Sequence, residues 1–159
     1  MDKYTNKKLF YAGLFLIILF ILVGIIIINS SKNTTPLGYN FPTPEEVVQH
    51  YFITWNNKDY ANMYSTFSDG FKRIEPTAKD LATFRKYAES QGIKAIKIIN
   101  INEKSNDGKT ASVDYSVEFT LKNNEKRKFK DTFTLKFRSG DIIQGWKLIH
   151  PYGENIDES

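Results

Sequence analysis

The chain contains no cysteine. A disulfide framework, thiolate chemistry and lipid attachment through cysteine are therefore all excluded. Histidine is nearly as scarce. His50 and His150 are the two present, far apart in the chain, and no spacing suggests the three converging ligands that a metal site needs. No serine sits in a recognisable nucleophile elbow, and no internal repeat is visible. Most of the chain also lacks a charge excess. The net charge is +4, but the first 39 residues carry +3 of it, leaving +1 on residues 40–159. The basic balance is thus a property of the N-terminus rather than a nucleic-acid footprint, and nucleic acid is not expected as a partner.

What the N-terminus has instead is one long apolar run. Residues 9–28, LFYAGLFLIILFILVGIIII, are twenty residues without a charge, and a helix needs roughly 20 to cross a bilayer core. The run exceeds the roughly 7–15 apolar residues of a secretory signal, and Asn29-Ser30-Ser31 is a poor cleavage site. Lys3, Lys7 and Lys8 precede it and only Lys32 follows closely, so the positive-inside rule predicts a single span with the N-terminus in the cytoplasm. Gly24 has Phe20 four residues before it and Ile28 four after, which gives no small-residue motif for pairing spans. The expected organisation is a cytoplasmic tail (1–8), a transmembrane helix (9–28), a polar linker with Pro36, Gly38 and Pro42 (29–42), an extracytoplasmic domain (43–153) and a tail (154–159). An exported domain without disulfides fits a bacterium with little oxidative folding, and the many Lys, Asn and Ile residues suggest an AT-rich genome.

Within the domain the periodicity is first helical. Thr43-Pro44-Glu45-Glu46 reads as a capping box with proline in the first turn. Val47, Tyr51 and Trp55, with Val48 and Phe52, then form one stripe. Asn56-Asn57 breaks it. A second short helix carries Tyr60, Ala61, Met63, Tyr64 and Phe67 and ends at Asp69-Gly70. Phe71 to Ile74 reads as extended. Thr77 with Asp80 opens a third helix whose buried stripe is Leu81, Phe84, Tyr87 and Ala88, and Gly92 stops it. The period then changes to two. A first strand covers 93–102, and its isoleucines change phase, which predicts a bulge near Ile98. Asp107-Gly108 makes a hairpin. Ala111, Val113, Tyr115, Val117, Phe119 and Leu121 alternate with polar residues in the second strand. Phe129, Asp131, Phe133, Leu135 and Phe137 share a phase in the third. Trp146, Leu148 and His150 share one in the last. The fold class expected is α+β: three helices packed on a curved, four-stranded antiparallel sheet as a cone-shaped domain. The rings of the first helix then serve as core, at about 1.5–3 kcal/mol for each ring buried.

The stretch PEEVVQHYFITWNNKDYANMYSTFSD, the long strands and the terminal GWKLIHP resemble domains related to nuclear transport factor 2. Within that family the sequence is most similar to the N-terminal domain of certain penicillin-binding proteins, through GIKAIKI and the final Gly-Trp-Lys strand. The resemblance covers residues 43–152 and implies a fold rather than an activity. No transpeptidase domain or catalytic serine motif accompanies it. It implies further that family enzymes use an Asp or His base with Tyr or Asp donors inside the cone. On that basis Asp131, in the apolar phase of its strand, and the hydroxyls of Tyr64, Tyr87 and Tyr115 are the pocket candidates. Asp114, in the polar phase, is a poorer one. Lys128 and Lys130 beside Asp131 favour a surface ion pair over a catalytic carboxyl. The basic run Lys126 to Lys130 reads as a solvated edge that blocks sheet-to-sheet pairing, with an anionic wall polymer or lipid headgroups as the alternative.

No catalytic residue, metal or cofactor is expected. The function expected is a protein-contact or scaffold module at the bacterial cell envelope, accessory to cell-wall synthesis or to secretion and conjugation assembly. Its partners would be the membrane it spans, an unidentified envelope protein and a second copy through the sheet. A small-molecule-binding domain using the interior cone is the alternative, and an isomerase- or dehydratase-type enzyme the third reading.

Overall fold

The computed structural model describes residues 41–149. The expected tail 1–8, span 9–28, all of the linker before Phe41, His150 and the tail 154–159 lie outside the described residues. Among the described residues no helix is long and apolar enough to cross a membrane.

Helix α1 (Pro44–Asn56) begins on the capping box read from the sequence. Thr43 Oγ1 accepts from Glu46 N at 3.2 Å, and Glu46 Oε2 accepts from Thr43 N at 2.7 Å. Changing Thr43 to Ala is expected to cost about 1 kcal/mol, read as a lower urea midpoint; an unchanged midpoint would show that the cap contributes nothing in solution. The helix buries Val47, Val48, Tyr51 and Phe52 and ends where Lys58 turns left-handed (φ 61°).

Two helix assignments differ from the expectation. After α2 (Tyr60–Ser65), residues 69–74 form a helix, α3 (Asp69–Ile74), rather than an extended segment. Ser68 Oγ caps it by accepting from Phe71 N at 3.0 Å, so Asp69-Gly70 opens a helix instead of closing one. A 3-10 turn (Pro76–Ala78) follows, and α4 (Leu81–Ser90) is capped by Asp80, whose Oδ1 accepts from Thr83 N, not by Thr77. Of the stripe expected on α4, Phe84 and Ala88 are buried; Leu81 and Tyr87 are exposed.

Four antiparallel strands follow as a meander, in the order β1 (Ile93–Asn106), β2 (Thr110–Leu121), β3 (Lys126–Arg138) and β4 (Gly145–Leu148). The phase change in β1 is a bulge at Ile99. Ile98 pairs with Val117, Asn100 pairs with Ser116, and Ile101 returns opposite Tyr115. The inner face carries Val113, Tyr115, Val117, Phe133, Leu135 and Leu148, all buried in one core with Val48, Phe52, Met63, Phe67 and Phe84. Tyr51 meets Phe133 edge-on at 5.5 Å, and Tyr115 stacks on Phe133 at 4.6 Å. The described residues are thus an α+β domain of four helices and four strands.

Some of the sheet's outermost backbone groups are bonded on each side, which hinders edge-to-edge pairing there. On β1, Glu103 N donates to Glu45 Oε1 at 2.6 Å, and Ile96 N donates to Asn56 Oδ1 at 2.8 Å. On β4, Leu148 N donates to Thr66 O and Ser68 N donates to Leu148 O, so the chain between α2 and α3 runs parallel to the strand.

Candidate functional site

Helices α1 and α4 cover only part of the inner sheet face. Beyond them the first half of β3 is open on both faces, and Phe129 is 48% exposed although it shares the phase of buried Phe133. Tyr87, on α4, is 45% exposed. Cross-strand register places Asp131 directly opposite Tyr115. It lies on the face read from the sequence, but at its exposed end, where it accepts from Thr132 N at 2.8 Å. Asp114 lies on the outer, polar face beside Thr132.

Three of the four pocket candidates therefore share one neighbourhood, with Tyr51 as a fourth member. Burial raises the Tyr51 hydroxyl pKa well above the usual tyrosine value, with the Tyr115 and Tyr87 phenols adding to it. Burial, then the Asp131 charge, does the same for Tyr115. Both hydroxyls stay neutral, so neither is suited to act as a base near neutrality. Tyr64 is elsewhere: its hydroxyl donates to Ala78 O at 2.9 Å, its ring packs on Phe84, and Lys72 lies over it at 4.9 Å. The neighbourhood holds one buried donor that the sequence did not single out. Trp55 Nε1, beside Phe119, has no hydrogen-bond partner among the described residues; an orphaned donor of this kind costs about 1–3 kcal/mol.

A cavity of about 210 Å³ lies on the opposite flank of α1. Its walls include His50, Thr66, Ile143, Trp146 and Lys147, and none of the four candidates lines it. Lys147 donates to Ser65 O at 2.7 Å. Burial and then Lys72 push its amine pKa down, against the pull of Asp141 and Asp69. The volume falls below the roughly 300–1,000 Å³ of most ligand pockets, so this cavity suits a few waters or a small fragment. Among the described residues no group of three or more His, Asp or Glu side chains is placed to hold a metal.

A family model described as a domain of unknown function, DUF4829, matches residues 45–147, well over half of the chain. The chain belongs to this family. The match covers α1 through most of β4, so the exposed strip at Phe129 and the cavity both lie within the DUF4829 domain. No curated protein matches the chain in sequence. Among solved structures it is similar to a SEC-C motif containing protein from Psychrobacter arcticus, at 10% identity and a TM-score of 0.50, over 73% of this chain and 63% of that one. The chain thus spans less than two thirds of that protein. It is similar also to RPA3114, a SEC-C motif containing protein from Rhodopseudomonas palustris, at 13% identity and a TM-score of 0.50, over 67% and 75%. A member of the NTF2-like family from Streptomyces avermitilis matches at 11% identity and a TM-score of 0.45, over 64% and 85%. Identities this low concern the fold alone.

The DUF4829 domain has one more built feature, in the β3–β4 connection, residues 139–144. Asp141 Oδ2 accepts from Asp69 N at 3.0 Å, and its Oδ1 accepts from Arg138 Nε at 3.1 Å. Asp69 Oδ2 accepts in return from Ile142 N at 3.0 Å, and its Oδ1 from Lys72 Nζ at 3.2 Å. The sequence shows Ser139-Gly140-Asp141 only as a turn.

Proposed function

We propose that this protein is a membrane-anchored, extracytoplasmic contact module of a bacterial cell envelope, working by protein–protein binding and without catalysis. The anchor is the apolar run 9–28, with the N-terminus in the cytoplasm. The envelope setting rests on the resemblance to nuclear-transport-factor-2-like domains, including those of penicillin-binding proteins. Cell-wall synthesis and secretion or conjugation assembly are the two processes it fits.

The observation that supports this best is the exposed strip where the inner sheet face outruns its helices. Phe129 presents ring surface there, backed by Tyr115 and Phe119, with Arg127 and Asp131 in the same phase of β3. The strip is apolar, with one charge of each sign beside it on β3, which suits an apolar protein segment better than a small substrate needing convergent polar groups. A homodimer through the sheet would have to use the outer face, whose rows are Lys, Thr, Ser, Asp and Glu.

Photo-crosslinking from position 129 of the full chain in intact bacterial cells tests the proposal. The expected result is capture of one envelope protein that is not captured from Lys86 on α4. That protein, once purified, should bind the full chain at least about tenfold more weakly when Phe129 is changed to Asp. Failure of capture, together with a small molecule that co-purifies with the chain, would replace this proposal with the second reading. That reading, a small-molecule site on the inner face, is favoured by Trp55 Nε1, which has no partner among the described residues and which an acceptor on a ligand would satisfy.

A further inference from the structure

The outer face of the sheet gathers charge of one sign at one end. Register places Lys97, Glu118 and Lys128 in one row across β1, β2 and β3. Asn100, Ser116 and Lys130 form the next row on one side, and Ala95, Thr120 and Lys126 the next on the other. In the sequence the lysines of β3 are a run on one strand; pairing through β2 brings Lys97 of β1 onto their face. All four lysines are exposed, and no residue of this face from β1 to β3 is buried.

Lysine on the open face of a strand is ordinary. Two observations set these apart. Their charge is left over: among the described residues the side chains of Lys97, Lys128 and Lys130 make no hydrogen bond or ion pair. The acid in these rows, Glu118, is 18% exposed at its side chain and is taken by Lys126 at 3.3 Å. Residues 40–159 carry only +1 in all, so four lysines against one glutamate is a concentration of charge and not a reflection of composition. Like charge also crowds the adjoining end of the sheet. Lys94 Nζ donates to Asn124 Oδ1 at 2.9 Å, and Lys58 Nζ donates to Ile93 O at 2.7 Å. Burial, then the neighbouring Lys122, lowers the Lys58 amine pKa, as a positive potential at this end requires.

The form of the face selects among anions. Lys126, Lys128 and Lys130 are alternate residues of one strand, so their stems are set in a line at intervals of about 7 Å. A line of spaced cations matches a chain of spaced anions; a single polyvalent ion needs donors that converge on a point. The paired residues from β1 to β3 on this face include no aromatic ring on which a nucleic-acid base could stack. They include no aliphatic side chain larger than that of Ala95 to enter an acyl boundary. Asn100, Ser116 and Thr120 stand between the lysines, and their amide and hydroxyls both donate and accept, as polyol hydroxyls do. A second copy is a poor occupant, because a face that meets itself sets cations against cations.

We infer that this half of the outer face binds a linear phosphodiester polymer with polyol repeats, laid along β3 with its phosphates on Lys126, Lys128 and Lys130 and with Lys97 flanking the track. The surface is the reverse of the one that carries Phe129, so the inference goes beyond the protein contact proposed there and does not depend on it.

Anisotropy of an end-labelled poly(glycerol phosphate) titrated with the full chain in mild detergent tests it. For the wild type, log K should fall against log salt with a slope of about −2, from three phosphate contacts at about −0.7 each. At about 50 mM salt K128E/K130E should raise Kd at least about tenfold, whereas K79E/K86E, the same change of net charge on other elements, should shift it less than about twofold. K128R/K130R, which keeps the charge, should bind as the wild type does. Undetectable binding, or equal loss in the two glutamate variants, overturns the inference. Tighter binding of a single-stranded oligothymidylate of equal charge overturns it in favour of nucleic acid. Displacement of the polymer by soluble dihexanoylphosphatidylglycerol at equal phosphate concentration overturns it in favour of lipid headgroups.

Discussion

Changing Phe52 to Ala is expected to destabilise the domain by about 3–5 kcal/mol, a large part of the 5–15 kcal/mol that holds an ordinary domain together. Phe52 is 2% exposed and joins three elements at once. Its ring lies 5.1 Å from Tyr51 on its own helix, 5.0 Å from Tyr115 on β2 and 6.1 Å from Phe133 on β3. Removing it leaves a hole that rigid rings on both sides cannot close, so the cavity penalty adds to the lost transfer energy. Urea unfolding of the full chain in mild detergent, followed by tyrosine and tryptophan signals in the near ultraviolet, measures the loss. A cost under about 1.5 kcal/mol, the range of tolerated core swaps, would mean that α1 does not pack on the sheet through this ring.

Changing Asp141 to Ala is expected to cost about 2–3 kcal/mol, because it strips a bond from Asp69 N and the carboxylate from Arg138 in a partly buried setting. The same network carries a pH dependence. Burial works against the charge of Asp69, yet the bonds from Ile142 N and Lys72 outweigh it and hold the carboxyl below its usual range. A group with a depressed pKa in the folded state stabilises fully above its unfolded value, and that stability is lost as pH falls through the folded value. Unfolding midpoints of the wild type should therefore fall with acid below the ordinary carboxylate range. Asp69→Asn should be weaker at neutral pH and show a flatter acid limb. Identical acid limbs would show that the Asp69–Ile142 bond does not form.

Much of the architecture was legible because its signals are local. The Thr43–Glu46 box, the Asp107-Gly108 hairpin and the clean alternation of β2 each involve neighbours within a few residues. Even the bulge was readable, since two isoleucine phases in one strand cannot share a face without an extra residue between them. The errors arose where local signals compete. Ser68 is as good a cap as Thr77 is, and nothing within four residues tells that Asp69-Gly70 begins a helix that the Asp141 contact, 72 positions away, helps to anchor. Among the site residues, strand phase placed Tyr115 and Asp131 together. It said nothing of Tyr51 as their neighbour, of the separation of Tyr64, or of the orphaned indole N–H of Trp55.

The sequence alone determined most of the helices, though not Asp69–Ile74, and which face of each strand is apolar, because caps, turns and periodicity act over a few bonds. Only the tertiary structure decided which apolar residues are covered. A 13-residue helix is about 20 Å long, whereas the 13 residues of β3 extend for about 40 Å, so α1 shelters Phe133 and must leave Phe129 outside. Which part of the strand falls beyond the helix depends on where distant elements meet, as does the fastening of Ile142 into water by two aspartates, and no short stretch of sequence records either.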